Sequence, residues 1–217
     1  MAGMLKNKAC QENSDLRRQY VLKMVSVLGV VAKALQRLHS VGVIHGNLTP
    51  EACGKFGDRW KLLKVFGFQK VGRLFDAKSC GESVPPEALE PDNNVIAVDR
   101  RLVYRSKVAA DPSIDMWGFG KLSHDVLVGH PLTDVDPINE CQNVLLRIQH
   151  WGTLEQVQVR CRLRKIGVPD AFVNLITKCL SQDPSHRPSI DEVLQSGHWD
   201  NIHQIQSPLD LSNLHEC

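Results

Sequence analysis

The chain has 217 residues, 42% of them hydrophobic, and a formal net charge of +2 at neutral pH. Such a chain can bury one sizeable core, which excludes disorder throughout and suits one domain or one large lobe of a two-lobed domain. A near-neutral balance without a long like-charge block gives no electrostatic case for binding nucleic acid or a membrane surface. The seven cysteines (Cys10, Cys53, Cys80, Cys141, Cys161, Cys179, Cys217) are scattered and odd in number, without a C-x-x-C pair. They read as reduced thiols of an intracellular protein, cytoplasmic or nuclear. The nine histidines show no metal-ligand spacing, so no metal is expected. No apolar signal region follows Met1, and the most apolar stretch, Val21 to Leu38, is interrupted by Lys23, Lys33, Gln36 and Arg37. It falls short of the roughly 18 uninterrupted apolar residues that suggest a membrane span.

In chain order, residues 1–14 read as a flexible polar leader. A long helix is expected from Asp15, with Leu22, Val25, Leu28, Val31, Leu35 and Leu38 at helical spacing and Gly42 as its stop. Val21, Val27 and Val30 widen the stripe until the helix reads as buried. A short extended entry, Val43-Ile44, leads into a loop. Trp60 to Phe66 then reads as the second strand of a small hairpin, bounded by Gly57-Asp58 and Gly67. Residues 72–113 are expected to be mostly loop, with turns at Pro85-Pro86, Pro91 to Asn94 and Asp111-Pro112. A second buried helix is expected over Asp115–Val128, announced by Asp111-Pro112-Ser113 and stopped by Gly129. Further helices follow at 138–150, 153–165, 170–181 and from Ser189, a capping serine, to Ser196. Residues 201–217 read as a weakly ordered tail, so the folded unit is 15–200, mainly α with one small β-hairpin.

The stretch from Val43 to Ala52 resembles the H-R-D-L-K-P-E-N catalytic loop of protein kinases: His45, Leu48, Pro50 and Glu51 match it. Gly46 stands at the Arg position, Asn47 at the catalytic Asp, Thr49 at the Lys and Ala52 at the metal-binding Asn. Val65-Phe66-Gly67 is similar to Asp-Phe-Gly, with Lys64 at the Asp position if the register shifts by one, so no carboxylate stands there. Val84-Pro85-Pro86-Glu87 is similar to Ala-Pro-Glu. Asp115 to Gly120 with Val126 to Leu132 resembles the D-x-W-S-x-G…E-L-L-x-G-x-P-L helix. Cys179 to Ser189 resembles the stretch carrying the family's late arginine, here Arg187. One such motif is weak; five in family order over residues 45–189 are specific.

The resemblance implies a protein kinase-like fold represented by its helical C-terminal lobe alone. No Gly-rich loop, strand lysine or N-terminal β lobe is visible ahead of the first helix. The family would use ATP and Mg2+; here no cofactor is expected. Kinase chemistry needs a carboxylate to take the substrate hydroxyl's proton and oxygen ligands for Mg2+, which Asn47, Ala52 and Val65 do not provide. General-base help alone is worth about 10² to 10⁴ in rate. Glu51 and Asp58, the nearest carboxylates in sequence, read as structural and turn residues. The resemblance further implies that Glu87 pairs with Arg187, that Asp115 accepts backbone hydrogen bonds from the loop, and that Trp117 packs beneath it. It also implies that His45 is a satisfied core histidine.

Between Glu87 and Asp115 runs a charged stretch with Asp92, Asp99, Arg100, Arg101, Arg105 and Lys107. It reads as a solvated loop, or more sharply as a docking insertion. Arg160, Arg162, Arg164 and Lys165 likewise read as a solvated helical face rather than an anion site. Three functions follow: a pseudokinase lobe that binds an unidentified protein partner, a divergent ATP-dependent Ser/Thr kinase, or a truncated kinase gene product.

Overall fold

A computed structural model describes residues 14–63, 68–78, 83–91, 102–104, 108–132, 140–196 and 199. The expected leader up to residue 13 and tail 201–217 lie outside these residues, as does Val65-Phe66-Gly67. The first element, α1 (Ser14–Ser40), begins one residue before Asp15. It buries Val21, Met24, Val27, Leu28, Val31 and Leu35, while Lys33, Gln36 and Arg37 stay exposed. The face is the one that the helical spacing of its apolar residues dictates. A turn leads into β1 (Val43–Ile44), a 3-10 turn at Pro50–Ala52, and the hairpin β2 (Cys53–Phe56) and β3 (Arg59–Leu62). The second hairpin strand therefore ends at Leu62, short of the expected Phe66. After it, β4 (Gln69–Lys70) pairs antiparallel with β1.

The central element is α2 (Pro112–Val128), three residues longer at its start than expected. Asp111 caps it by accepting the Ser113 N–H at 2.8 Å, and Pro112 occupies the first turn, where no N–H is needed. Every residue from Ile114 to Leu127 is buried, because helices pack on α2 from several sides. Gly120 permits one of these approaches: a methyl there would meet Cys179 Cβ and Leu180 Cγ at 2.9 Å. The helix α3 (Glu140–Gln149) packs on the 3-10 turn Pro86–Ala88 and the strand that follows it, whereas α4 (Thr153–Lys165) and α5 (Asp170–Cys179) pack against α2. The last helix, α6 (Ile190–Gln195), lies against α1. Tyr20 donates its hydroxyl proton to the Val126 carbonyl, tying α1 to α2. Trp151 Nε1 donates to Leu180 O at 2.7 Å.

The expectation of one hairpin needs correction. Three two-stranded antiparallel ladders occur among the described residues. The third joins β5 (Leu89–Pro91) to β6 (Leu102–Tyr104), in register Leu89 opposite Tyr104, inside the stretch expected to be mostly loop. Leu-Val-Tyr is β-prone, but at three residues it is too short for alternation to announce a strand. The outcome is a mainly helical fold with small sheets.

Candidate functional site

The degenerate loop lies between β1 and the turn at Pro50, and His45 to Leu48 are all buried. Gly46 adopts φ +75°, a backbone conformation that L side chains rarely take. The His45 and Gly46 N–H groups, bent inward, donate to Asp115 Oδ2 and Oδ1, each at 2.8 Å. His39, in the last turn of α1, donates from Nε2 to Asp115 Oδ2 at 2.8 Å. Asp115 is 1% exposed, so a carboxylate from the first turn of α2 serves as the loop's internal tie. The His45 ring spans two bonds: Nε2 donates to the Leu63 carbonyl at 2.9 Å, and Nδ1 accepts the Asn47 N–H at 3.3 Å. Both ring nitrogens are thereby engaged, which fixes the tautomer and leaves neither for proton transfer.

Phe68, Gln69, Phe75 and Ser83 stand against this loop. A methyl on Gly46 would touch Gln69 Nε2 at 3.4 Å and Phe75 Cε2 at 3.7 Å, so these side chains stand against the position where the family carries Arg. Gln69 Oε1 in turn accepts the Asp76 N–H at 2.9 Å. Ser83 donates its hydroxyl proton to the Leu48 carbonyl at 3.0 Å. Phe68 sets its ring edge-on to His45, with centroids 5.5 Å apart.

A second constellation forms around the buried Arg187. Arg187 makes a bidentate pair with Glu87, Nη1 to Oε1 and Nη2 to Oε2, both at 2.7 Å. Its remaining protons go to the Ser181, Ser113 and Gln182 carbonyls at 2.9, 3.0 and 3.3 Å. The guanidinium lies 5.3 Å from the Trp117 ring, and Trp117 meets Trp151 edge-to-face at 5.4 Å. A charge this deeply desolvated persists only when paired and fully hydrogen-bonded, as Arg187 is.

Sequence reasoning missed several contributors. His39 had only its place in a helix's last turn to signal it. Gln69 and Phe75 carried no motif signal at all. Nor did the buried set on α2, where Asp125 accepts from Lys121 Nζ at 2.7 Å and from the Leu132 N–H at 2.6 Å, with His124 Nδ1 at 3.2 Å. Glu51 and Asp58 are exposed, Asp58 at the turn between β2 and β3. Of the basic face, Arg164 pairs with Asp170 at 2.7 Å on the surface. Burial pushes the Cys53 and Cys179 thiols up to about 12, so neither is a nucleophile at neutral pH.

The described residues do not fit Mg2+ with ATP. Ala52 presents a fully buried methyl where an oxygen ligand is needed. Asp115 is occupied by three donors, and no cluster of three His, Cys, Asp or Glu side chains suited to a metal occurs among the described residues. No described helix is long and apolar enough to cross a membrane.

No protein-family model matches the chain. It is 28% identical over 190 residues to a probable serine/threonine-protein kinase, CCRP1, of Zea mays, covering 83% of this chain and 26% of that protein. It is 27% identical over 167 residues to the serine/threonine-protein kinase MPS1 of Encephalitozoon cuniculi, covering 74% of this chain and 24% of that protein. The chain thus spans about a quarter of the length of these curated relatives. Among solved structures it resembles the Rad53 kinase domain and SCD2 in complex with AMPPNP. That match has a TM-score of 0.53 at 15% identity, covering 81% of this chain and 58% of that one. The fold resembles that of a kinase domain. In sequence the chain is similar, over most of its own length, to proteins named as serine/threonine protein kinases.

Proposed function

We propose that this chain is a catalytically inactive, pseudokinase-type lobe acting as a protein-interaction module. The observation that supports it best is the fate of the charges at the loop. Asn47 stands where the proton acceptor is needed. The buried carboxylate that does reach the loop, Asp115, accepts hydrogen bonds from His39, His45 and Gly46. An amide at position 47 has negligible basicity, and the missing metal ligands would remain missing if it were replaced.

Its similarity to proteins named as serine/threonine kinases favours a second reading, a divergent ATP-dependent kinase. Incubation with labelled ATP and Mg2+ or Mn2+ separates the two. The expected result is no incorporation above that of Asn47→Ala. Incorporation that this substitution abolishes would sink the non-catalytic reading.

A further inference from the structure

Residues 108–110, the segment just ahead of α2, run antiparallel to residues 73–75. Phe75 N–H donates to Val108 O at 2.8 Å, Ala110 N–H to Arg73 O at 2.7 Å, and Gly72 N–H to Ala110 O at 2.9 Å. Leu74 and Ala109 face each other across this bridge. In that pattern they form a non-hydrogen-bonded pair, whose own N–H and C=O groups point away from the ladder. Phe75 and Ala110 turn inward and are buried, whereas Leu74 and Ala109 are exposed. The backbone groups of Ala109 have no hydrogen-bond partner among the described residues. The strand therefore carries an open edge, able to pair with another extended backbone.

This edge borders an open groove of about 360 Å³, lined by Val108, Ala109, Asp111, Ile114, Glu87 and Pro184 among others. Val108, Ile114 and Pro184 give it apolar walls, and no lysine or arginine lines it among the described residues. Arg187 neutralises Glu87, so among the described residues the uncompensated charge on the groove is that of Asp111. Asp111 uses Oδ1 on its helix cap. Asp183, directly before Pro184, adds a second carboxylate close by, more than half exposed. A negative lining repels nucleic acid and anionic lipid alike. A main-chain donor and acceptor beside apolar walls match an extended peptide.

We infer that the edge at Ala109 and its groove receive an extended segment of a partner protein as an added strand, with a lysine or arginine of that segment set against Asp111. This site would be a specific binding surface for the interaction module proposed above, and it rests on that reading. Main-chain pairing at Ala109 supplies the register, and the carboxylate selects a basic side chain over an acidic one.

The test is an NMR titration of the full 217-residue chain with an acetylated, amidated octapeptide of alternating valine and lysine. Saturable shifts are expected at the backbone amides of residues 108–111, 113, 114 and 185, with slower exchange of the Ala109 amide. Replacing lysine by glutamate, or N-methylating alternate peptide residues so that one edge loses its donors, should weaken binding about tenfold or more, a loss of ~1.4 kcal/mol. Ala109→Pro removes the edge donor while sparing the ladder's own bonds, and should do the same. Asp111→Asn keeps the helix cap and removes the charge, so it should cost about threefold or more. The N-methylated peptide leaves the protein untouched, so misfolding of a variant cannot mimic its effect. Equal binding of the acidic or N-methylated peptide, or no saturable shift at these amides, overturns the inference. Label transfer from ATP is independent of this edge, so the two readings fail separately.

Discussion

Two buried polar regions of this molecule behave in opposite ways. Along His45 to Ala52, the positions where a kinase carries a charge or its metal-binding Asn hold Gly, Asn, Thr and Ala. At Asp115 and Arg187 full charges sit in the interior, and Glu87 stands partly buried beside Arg187, each held by more than one hydrogen bond. The charges of the first region would face substrate and metal, so their loss leaves the fold intact. Those of the second face other parts of the chain, and removing one strands its partner in a medium that solvates charge poorly.

The contrast breaks most visibly at Arg187. Arg187→Ala should lower the unfolding free energy by about 3–5 kcal/mol, because it removes all five hydrogen bonds of a buried guanidinium and leaves the largely shielded Glu87 carboxylate without its partner. Denaturant titration checks this. Replacing both residues by apolar ones of similar size should cost less than either single change, and a larger cost for the pair would refute the account. Asp115→Asn comes next, at about 1.5–3 kcal/mol, since an amide oxygen cannot match a carboxylate accepting from His39, His45 and Gly46. Gly46→Ala should cost about 1–2 kcal/mol. The methyl itself meets Gln69 and Phe75 at ordinary contact distances, so the left-handed backbone carries most of the penalty. A neutral result would show that the loop relaxes.

The smallest effect lies at the cap of α6. Ser189 donates to Glu192 from its N–H and its hydroxyl, at 2.7 and 2.9 Å, and these bonds hold the Glu192 carboxyl below its ordinary 4.5. A depressed carboxylate contributes stability that is present above about pH 4.5 and fades as pH falls through its lowered value. Glu192→Gln keeps the cap geometry but removes the ionisation. Its melting temperature should therefore lie slightly below that of the parent at neutral pH, and the gap should close on acidification to pH ~3. A gap that stays constant with pH would contradict this.

Helical periodicity alone could place α1 and α2, because apolar residues recur at a spacing that leaves one good face or none exposed. Caps such as Asp111 and Ser189 are local chemistry within three residues of the helix they start, and they too are readable from sequence. The short ladder of β5 with β6 was not readable. It forms across residues far apart in sequence, from three-residue strands with no alternation of their own. The catalytic loop's losses stand in single letters of the sequence. What replaced them in space does not: no motif tells that Gln69 and Phe75 close over Gly46, or that His39 reaches Asp115.

Residue identity by itself determined which chemical groups the loop lacks and which charges must find partners. That follows because an amide cannot become a base and a buried guanidinium cannot stay unpaired. Tertiary structure decided where those partners come from: Glu87 lies 100 residues from Arg187, and only packing around α2 brings them to 2.7 Å. It also decided that Ala109 shows its backbone outward, since which edge of a ladder remains open depends on what the rest of the chain covers.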